Sequence, residues 1–141
     1  LVLGTLHTTS ATKTIDRVID ALPVEQREQT KSFLSSSLLA VLTQVLVKNA
    51  EGRGRKAVGE VMVMTRAIAK LRQTGQTFQI PSQLQTGRDL GSTLLDQALL
   101  AGLASRELDP DDAVAYASEK RLFQKYVADT SLLPKLDVAA S

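Results

Sequence analysis

Two apolar runs, Gln44-Val-Leu-Val47 and Ala57-Val-Gly-Glu-Val-Met-Val-Met64, flank the turn-forming stretch Asn49-Ala-Glu-Gly-Arg-Gly-Arg55. Valine-rich runs bounded by Asn and Gly at this spacing specify a β-hairpin, so the fold must supply sheet. The second run reads as a largely buried strand. The tip, Gly52-Arg-Gly-Arg55, lacks the Gly-x-x-x-x-Gly-Lys-Ser/Thr spacing and the strand-to-helix context of a phosphate loop. It reads as a flexible basic turn, with Gly serving the backbone and Arg staying solvated.

Upstream, Leu1 to Leu6 is a bounded apolar run that suits a buried strand. It delivers His7 into the hydroxyl-rich turn Thr8-Thr9-Ser10, whose side-chain oxygens can cap a helix. That helix carries Ile15, Val18, Ile19 and Leu22 on one face, at i, i+3, i+4 and i+7. Donors at its N-terminus face the strand edge, a place that favours anions. A strand–turn–helix with one His is, by itself, ordinary architecture. A parallel strand needs neighbours on both sides, so a chain that opens inside one reads as the C-terminal part of a longer protein.

Downstream the periodicity is mostly helical. Pro23 ends the first helix, and a second bears Phe33, Leu34, Leu38, Val41 and Leu42 on one face before strand character sets in near Thr43. Thr65 caps a short helix over Arg66–Arg72, closed by Gly75, with its basic residues outward. Phe78 to Gly91 is a connector, and Leu94, Leu95, Ala98, Leu99 and Leu103 line one face of the next helix. Asp109-Pro-Asp-Asp112 is a helix start, with an Asp cap, Pro at the first position and acids against the dipole. A calcium loop would need alternating oxygens and a distant Glu instead. That last helix carries Val114, Ala117, Leu122, Phe123, Tyr126 and Val127, with a break near Lys120. Tyr116, Phe123 and Tyr126 read as core rather than a base-stacking platform.

Composition removes several classes. With no Cys there is neither a disulfide framework nor a thiolate metal site, and a single His excludes an all-histidine site within one chain. A net charge of +2 over 141 residues implies neither nucleic acid nor an anionic membrane. No apolar run approaches the ~18–20 residues of a membrane span.

Gly4-Thr5-Leu6-His7-Thr8-Thr9-Ser10-Ala11, followed by Lys13-Thr14-Ile15-Asp16-Arg17, resembles the histidine-box region of secretion ATPases. Among them it is most similar to the twitching-motility ATPases of the PilT family, the type IV pilus retraction motors. In this likeness the loop before Glu60 stands where the family carries a Gly-x-Gly-Arg hairpin. Ala67-Ile68-Ala69-Lys70-Leu71-Arg72-Gln73-Thr74 stands where the family has Ala-Ile-Arg-Asn-Leu-Ile-Arg-Glu. Ala67, Ile68 and Leu71 match, Ala69 replaces the first Arg, and Lys70 and Arg72 are displaced basic substitutes. Ile80-Pro81-Ser82, Gln85-Thr86-Gly87, Gly91 and Asp96-Gln97 coincide with further landmarks, while Ser92 and Thr93 replace the usual Met and Gln. The likeness runs from Leu1 to about Asp129.

The resemblance implies an α/β fold: the C-terminal part of a RecA-like P-loop ATPase domain, with few strands including a hairpin, followed by a helical C-terminal subdomain. Residues 1–75 would be the ATPase half, 76–129 the helical subdomain and 130–141 a flexible tail. It implies a cytoplasmic hexameric motor, peripheral to the inner membrane through a pilus platform protein, using ATP and Mg²⁺ in the parent. The fragment itself, lacking the P-loop and Walker B acids, would hold no cofactor and hydrolyse no ATP alone. By resemblance His7 approaches the γ-phosphate, Thr5, Thr8 and Thr9 support the nucleotide, and Ala67, Ile68, Lys70, Leu71 and Arg72 form the motor-coupling motif. The competing reading is a non-catalytic helical module that docks on a partner ATPase or a pilus platform protein.

Overall fold

The computed structural model describes residues 1–134; residues 135–141, most of the expected tail, lie outside the described residues. Helix α1 spans Ala11–Asp20, with Ser10 in extended backbone as its cap, accepting from the Lys13 amide. Ala11, Thr14, Ile15 and Ile19 form its buried face. Arg27 closes the far end, donating to the Leu22 and Asp20 carbonyls at 3.1 and 3.2 Å.

Helix α2 runs from Val24 to Ser37, five residues short of the Leu42 that periodicity assigned to it. Its serines explain the early stop. Ser35 donates to the Lys31 carbonyl, and Ser36 and Ser37 both donate to that of Phe33. Hydroxyls bonding back to the preceding turn compete with continuation of the helix. Leu38 is already extended, Phe33 and Leu42 are exposed, and Val41 is buried on a strand rather than a helix.

Strands β1 (Ala40–Lys48) and β2 (Arg55–Val63) pair as an antiparallel hairpin; β1 is longer at both ends than the sequence predicts, while β2 starts two residues earlier and ends one sooner. In β1, Val41, Thr43, Val45 and Val47 point inward while Leu42 and Leu46 stay exposed; in β2, Val58, Glu60 and Met62 are buried. Gly52 and Gly54 at the tip take φ of 71° and 81°, the left-handed region that a side chain disfavours.

The hairpin is followed by α3 (Arg66–Gln73), α4 (Ile80–Thr86), α5 (Leu95–Ala104) and α6 (Pro110–Tyr116). Thr65 caps α3 by accepting from Ile68, and Asp109 caps α6 by accepting from Asp112. Helix α4 lies where the sequence showed only a connector; seven residues are too few for a periodic signal. Helix α6 ends at Tyr116, earlier than the break expected near Lys120, and Phe123 is buried from a short 3₁₀ turn.

The strand expected at Leu1–Leu6 does not form. Those residues have no regular structure, and Leu1, Val2 and Leu3 are exposed. An extended segment becomes a strand only when a neighbouring backbone takes up its hydrogen bonds. Neither β1 nor β2 does so: they pair with each other, and the short bridges join Val61 of β2 to Thr93 and Asn49, just after β1, to Leu108.

The chain packs as two units, which interleave in sequence. One comprises Leu1–Gln44 and Gly59–Leu94; the other comprises Val45–Val58 and the chain from Leu95 onward. The first closes over Ala11, Ile15, Val41, Met62, Ile68 and Leu84. The second closes over Val47, Leu99, Leu108, Val114 and Phe123. Carboxylates tie its rim: Asp96 accepts from the Ser118 and Glu119 amides, both at 2.8 Å, and Asp112 accepts from Lys48 at 2.7 Å. Gly102 lies so close to Leu108 that an added Cβ would stand 2.5 Å from its Cδ1.

Candidate functional site

An open groove of about 840 Å³ in the first unit gathers Thr5, His7, Thr8 and Thr9 with apolar side chains of α1 and β1. Thus the four residues singled out at the N-terminus share one place. Ala67, Ile68, Lys70, Leu71 and Arg72 do not line it.

The turn bearing His7 is held by a small network. The Thr14 hydroxyl donates to the Ser10 carbonyl at 2.9 Å and shares a 2.6 Å hydrogen bond with Thr8. A hydroxyl has one proton, so with Thr14's engaged at Ser10, Thr8 is the donor of the shared bond. Thr8 therefore keeps only acceptor capacity, whereas Thr5 and Thr9 are exposed. Arg17 donates to the His7 carbonyl at 3.2 Å, fixing the backbone while the imidazole stays exposed.

The burial of two charged side chains in this unit was not foreseen from the sequence. Glu60, only 8% exposed, accepts the Ala11 amide on Oε1 at 2.8 Å. Ala11 begins α1, so this carboxylate occupies the anion-favouring place at the helix N-terminus. The anion that this place favours is thus supplied, at Ala11, by the chain's own β2. The signal was present: Glu60 stands in phase with Val58 and Met62, and alternation puts all three on one face.

The second is Arg72. The helix expected to turn its basic residues outward does so with Arg66 and Lys70, but Arg72 is 4% exposed. Among the described residues, its Nη1 and Nη2 have no hydrogen-bond partner. Burial pulls its pKa down, and the negative charge of Asp16 pulls the other way. Within the same helix Ile68 is buried, Leu71 half-buried and Ala67 exposed. Among the described residues no group of His, Asp and Glu is arranged to hold a metal ion, and no helix is long and apolar enough to cross a membrane.

This α/β arrangement of a hairpin and six helices recurs in known proteins. The chain superposes on the crystal structure of the pilus retraction motor PilT with bound ADP, with a TM-score of 0.75 at 28% identity, over 89% of this chain and 34% of that one. The Legionella pneumophila ATPase DotB shares the fold at 17% identity, with a TM-score of 0.61 over 79% of this chain and 31% of that one. The fold is that of secretion ATPases. In sequence the chain is 48% identical to the type IV pilus retraction ATPase PilT of Pseudomonas aeruginosa over 111 residues, 76% of this chain and 32% of that protein. It is 41% identical to a twitching motility protein of Neisseria gonorrhoeae over 113 residues, 80% of this chain and 30% of that protein. No family model matches. In sequence and fold the chain is similar to the PilT-type twitching-motility ATPases, and it spans about a third of the length of these relatives.

Proposed function

We propose that this chain is the C-terminal part of a motor ATPase that couples ATP hydrolysis to type IV pilus retraction, with His7 as its contact to the γ-phosphate. The observation that carries the reading is the groove that gathers His7, Thr5 and Thr9, exposed, on a turn held rigid by Thr14 and Arg17. An imidazole and two hydroxyls fit one end of a polyphosphate, and a preorganised donor there stabilises transferring charge. ATP with Mg²⁺ supplies the phosphoryl group, and the P-loop and acids that hold it belong to the upstream part of the parent.

On this reading residues 1–75 are the RecA-like half and 76–129 the helical subdomain. The parent works as a cytoplasmic homo-hexamer against an inner-membrane platform protein. Ala67, Ile68, Lys70, Leu71 and Arg72 form the coupling helix, with Ala67 and Lys70 available at its surface.

The test is His7→Ala in the full-length parent. The ATPase rate should fall about a hundredfold, the scale of losing one preorganised donor. The melting temperature should hold, since the imidazole is exposed. An unchanged rate refutes the reading. The docking-module alternative is favoured by the exposed Leu39, Leu42 and Leu46. It predicts that same unchanged rate, together with partner binding lost on Leu42→Asp.

A further inference from the structure

Glu60 is a buried carboxylate that nothing above uses for chemistry. It reaches α1 from the hairpin, 49 residues along the chain, and receives the first helical amide at Ala11. Helix starts leave their first amides without intrahelical partners, and here the Ser10 hydroxyl takes the Lys13 amide while Glu60 takes that of Ala11. Two oxygens from separate parts of the chain thus set the position of the α1 terminus. The same terminus carries the His7 turn, through Ser10 O, Thr14 and Thr8. A carboxylate at this place also answers the positive end of the helix dipole, so an incoming phosphate finds the Ala11 donor occupied.

We propose that Glu60 is the positioning residue of the His7 turn: by holding the Ala11 amide it fixes the start of α1, and it leaves the phosphate to the His7 side chain rather than to the helix end. The proposal rests on the nucleotide reading above. Glu60 touches no substrate; it acts through Ala11 and the turn.

Glu60→Gln and Glu60→Met separate the possibilities in the full-length parent, beside His7→Ala. Glutamine keeps an acceptor oxygen without the charge; methionine keeps the bulk and loses the acceptor. The readouts are amide exchange over residues 9–14, kcat and KM. Glu60→Met should exchange Ala11 about tenfold faster or more, and lose about tenfold or more in kcat with KM nearly unchanged, as displaced catalytic geometry does. Glu60→Gln should restore both. A folded Glu60→Met protein with undiminished kcat overturns the proposal. So does a Glu60→Gln protein that keeps Ala11 protected yet loses as much rate as Glu60→Met.

If Glu60→Met fails to fold, the parent and Glu60→Gln decide. Ala11 protected in both, with kcat kept, supports positioning; rapid Ala11 exchange in the parent overturns it. His7→Ala with unchanged kcat sinks the nucleotide reading instead, and the exchange data still show whether Glu60 holds the turn.

Discussion

The two units bury different kinds of residue. Among the described residues, every buried polar or charged side chain (Thr14, Thr43, Glu60, Arg72 and Ser92) belongs to the first unit. The interior of the second is apolar, and its acids act at the rim, where Asp96 and Asp112 take backbone amides. An apolar interior contributes stability without direction. Buried hydrogen bonds contribute little net stability but fix geometry, because leaving them unmade is costly. In the unit that carries the His7 turn, Thr14 and Glu60 supply such direction, while Thr43 Oγ1 and the Arg72 terminal nitrogens have no partner among the described residues.

The sharpest way to break this contrast is to cut each interior. Phe123→Ala, at a residue 0% exposed in the second unit, should cost roughly 3–5 kcal/mol, measured by denaturant unfolding. A loss below about 1 kcal/mol would mean that interior is loosely packed.

In the first unit a large charged residue should behave oppositely. Arg72→Met removes a buried guanidinium whose terminal nitrogens have no hydrogen-bond partner among the described residues, and keeps most of the volume. It should leave stability unchanged or raise it by about 1–3 kcal/mol, read as a higher melting temperature. A clear drop would reveal an anion paired with Arg72 in solution.

The smallest effect belongs to the second unit's surface. Hydrogen bonds from Lys56 and Ser105, with the Lys56 charge, hold the Glu107 carboxyl below its usual range. A depressed carboxylate contributes stability above its unfolded pKa, and that contribution disappears as pH falls through the folded value. Lys56→Met should therefore melt slightly below the parent at neutral pH and level with it in acid. A difference that survives at low pH would be packing, not charge.

What could be read from the sequence follows the range of the forces involved. The hairpin and the caps at Ser10, Thr65 and Asp109 are set by neighbouring residues, and they stand where local chemistry puts them. Leu1–Leu6 has strand composition, but pairing is decided by another segment's backbone. Leu38 to Leu42 satisfies helical and strand periods alike, and the serine hydroxyls before it decide between them. At the candidate site, the His7 turn was visible as a cap. Its anchor was not, because Glu60 meets Ala11 only after the hairpin has folded onto α1. The depth of Arg72 was hidden for a similar reason: burial of one position on an amphipathic helix depends on what packs beside it.

Gly102 carries a consequence of another sort. Every single-base change of a glycine codon that yields another amino acid introduces a Cβ, and here that atom would meet Leu108, itself only 2% exposed. Any such substitution therefore forces the Leu108 side chain to shift within the interior of the second unit. The way out is a smaller residue at 108 arriving first, which leaves a gap until 102 follows. Positions 102 and 108 are thus coupled in size: the room for a side chain at one is set by the bulk of the other.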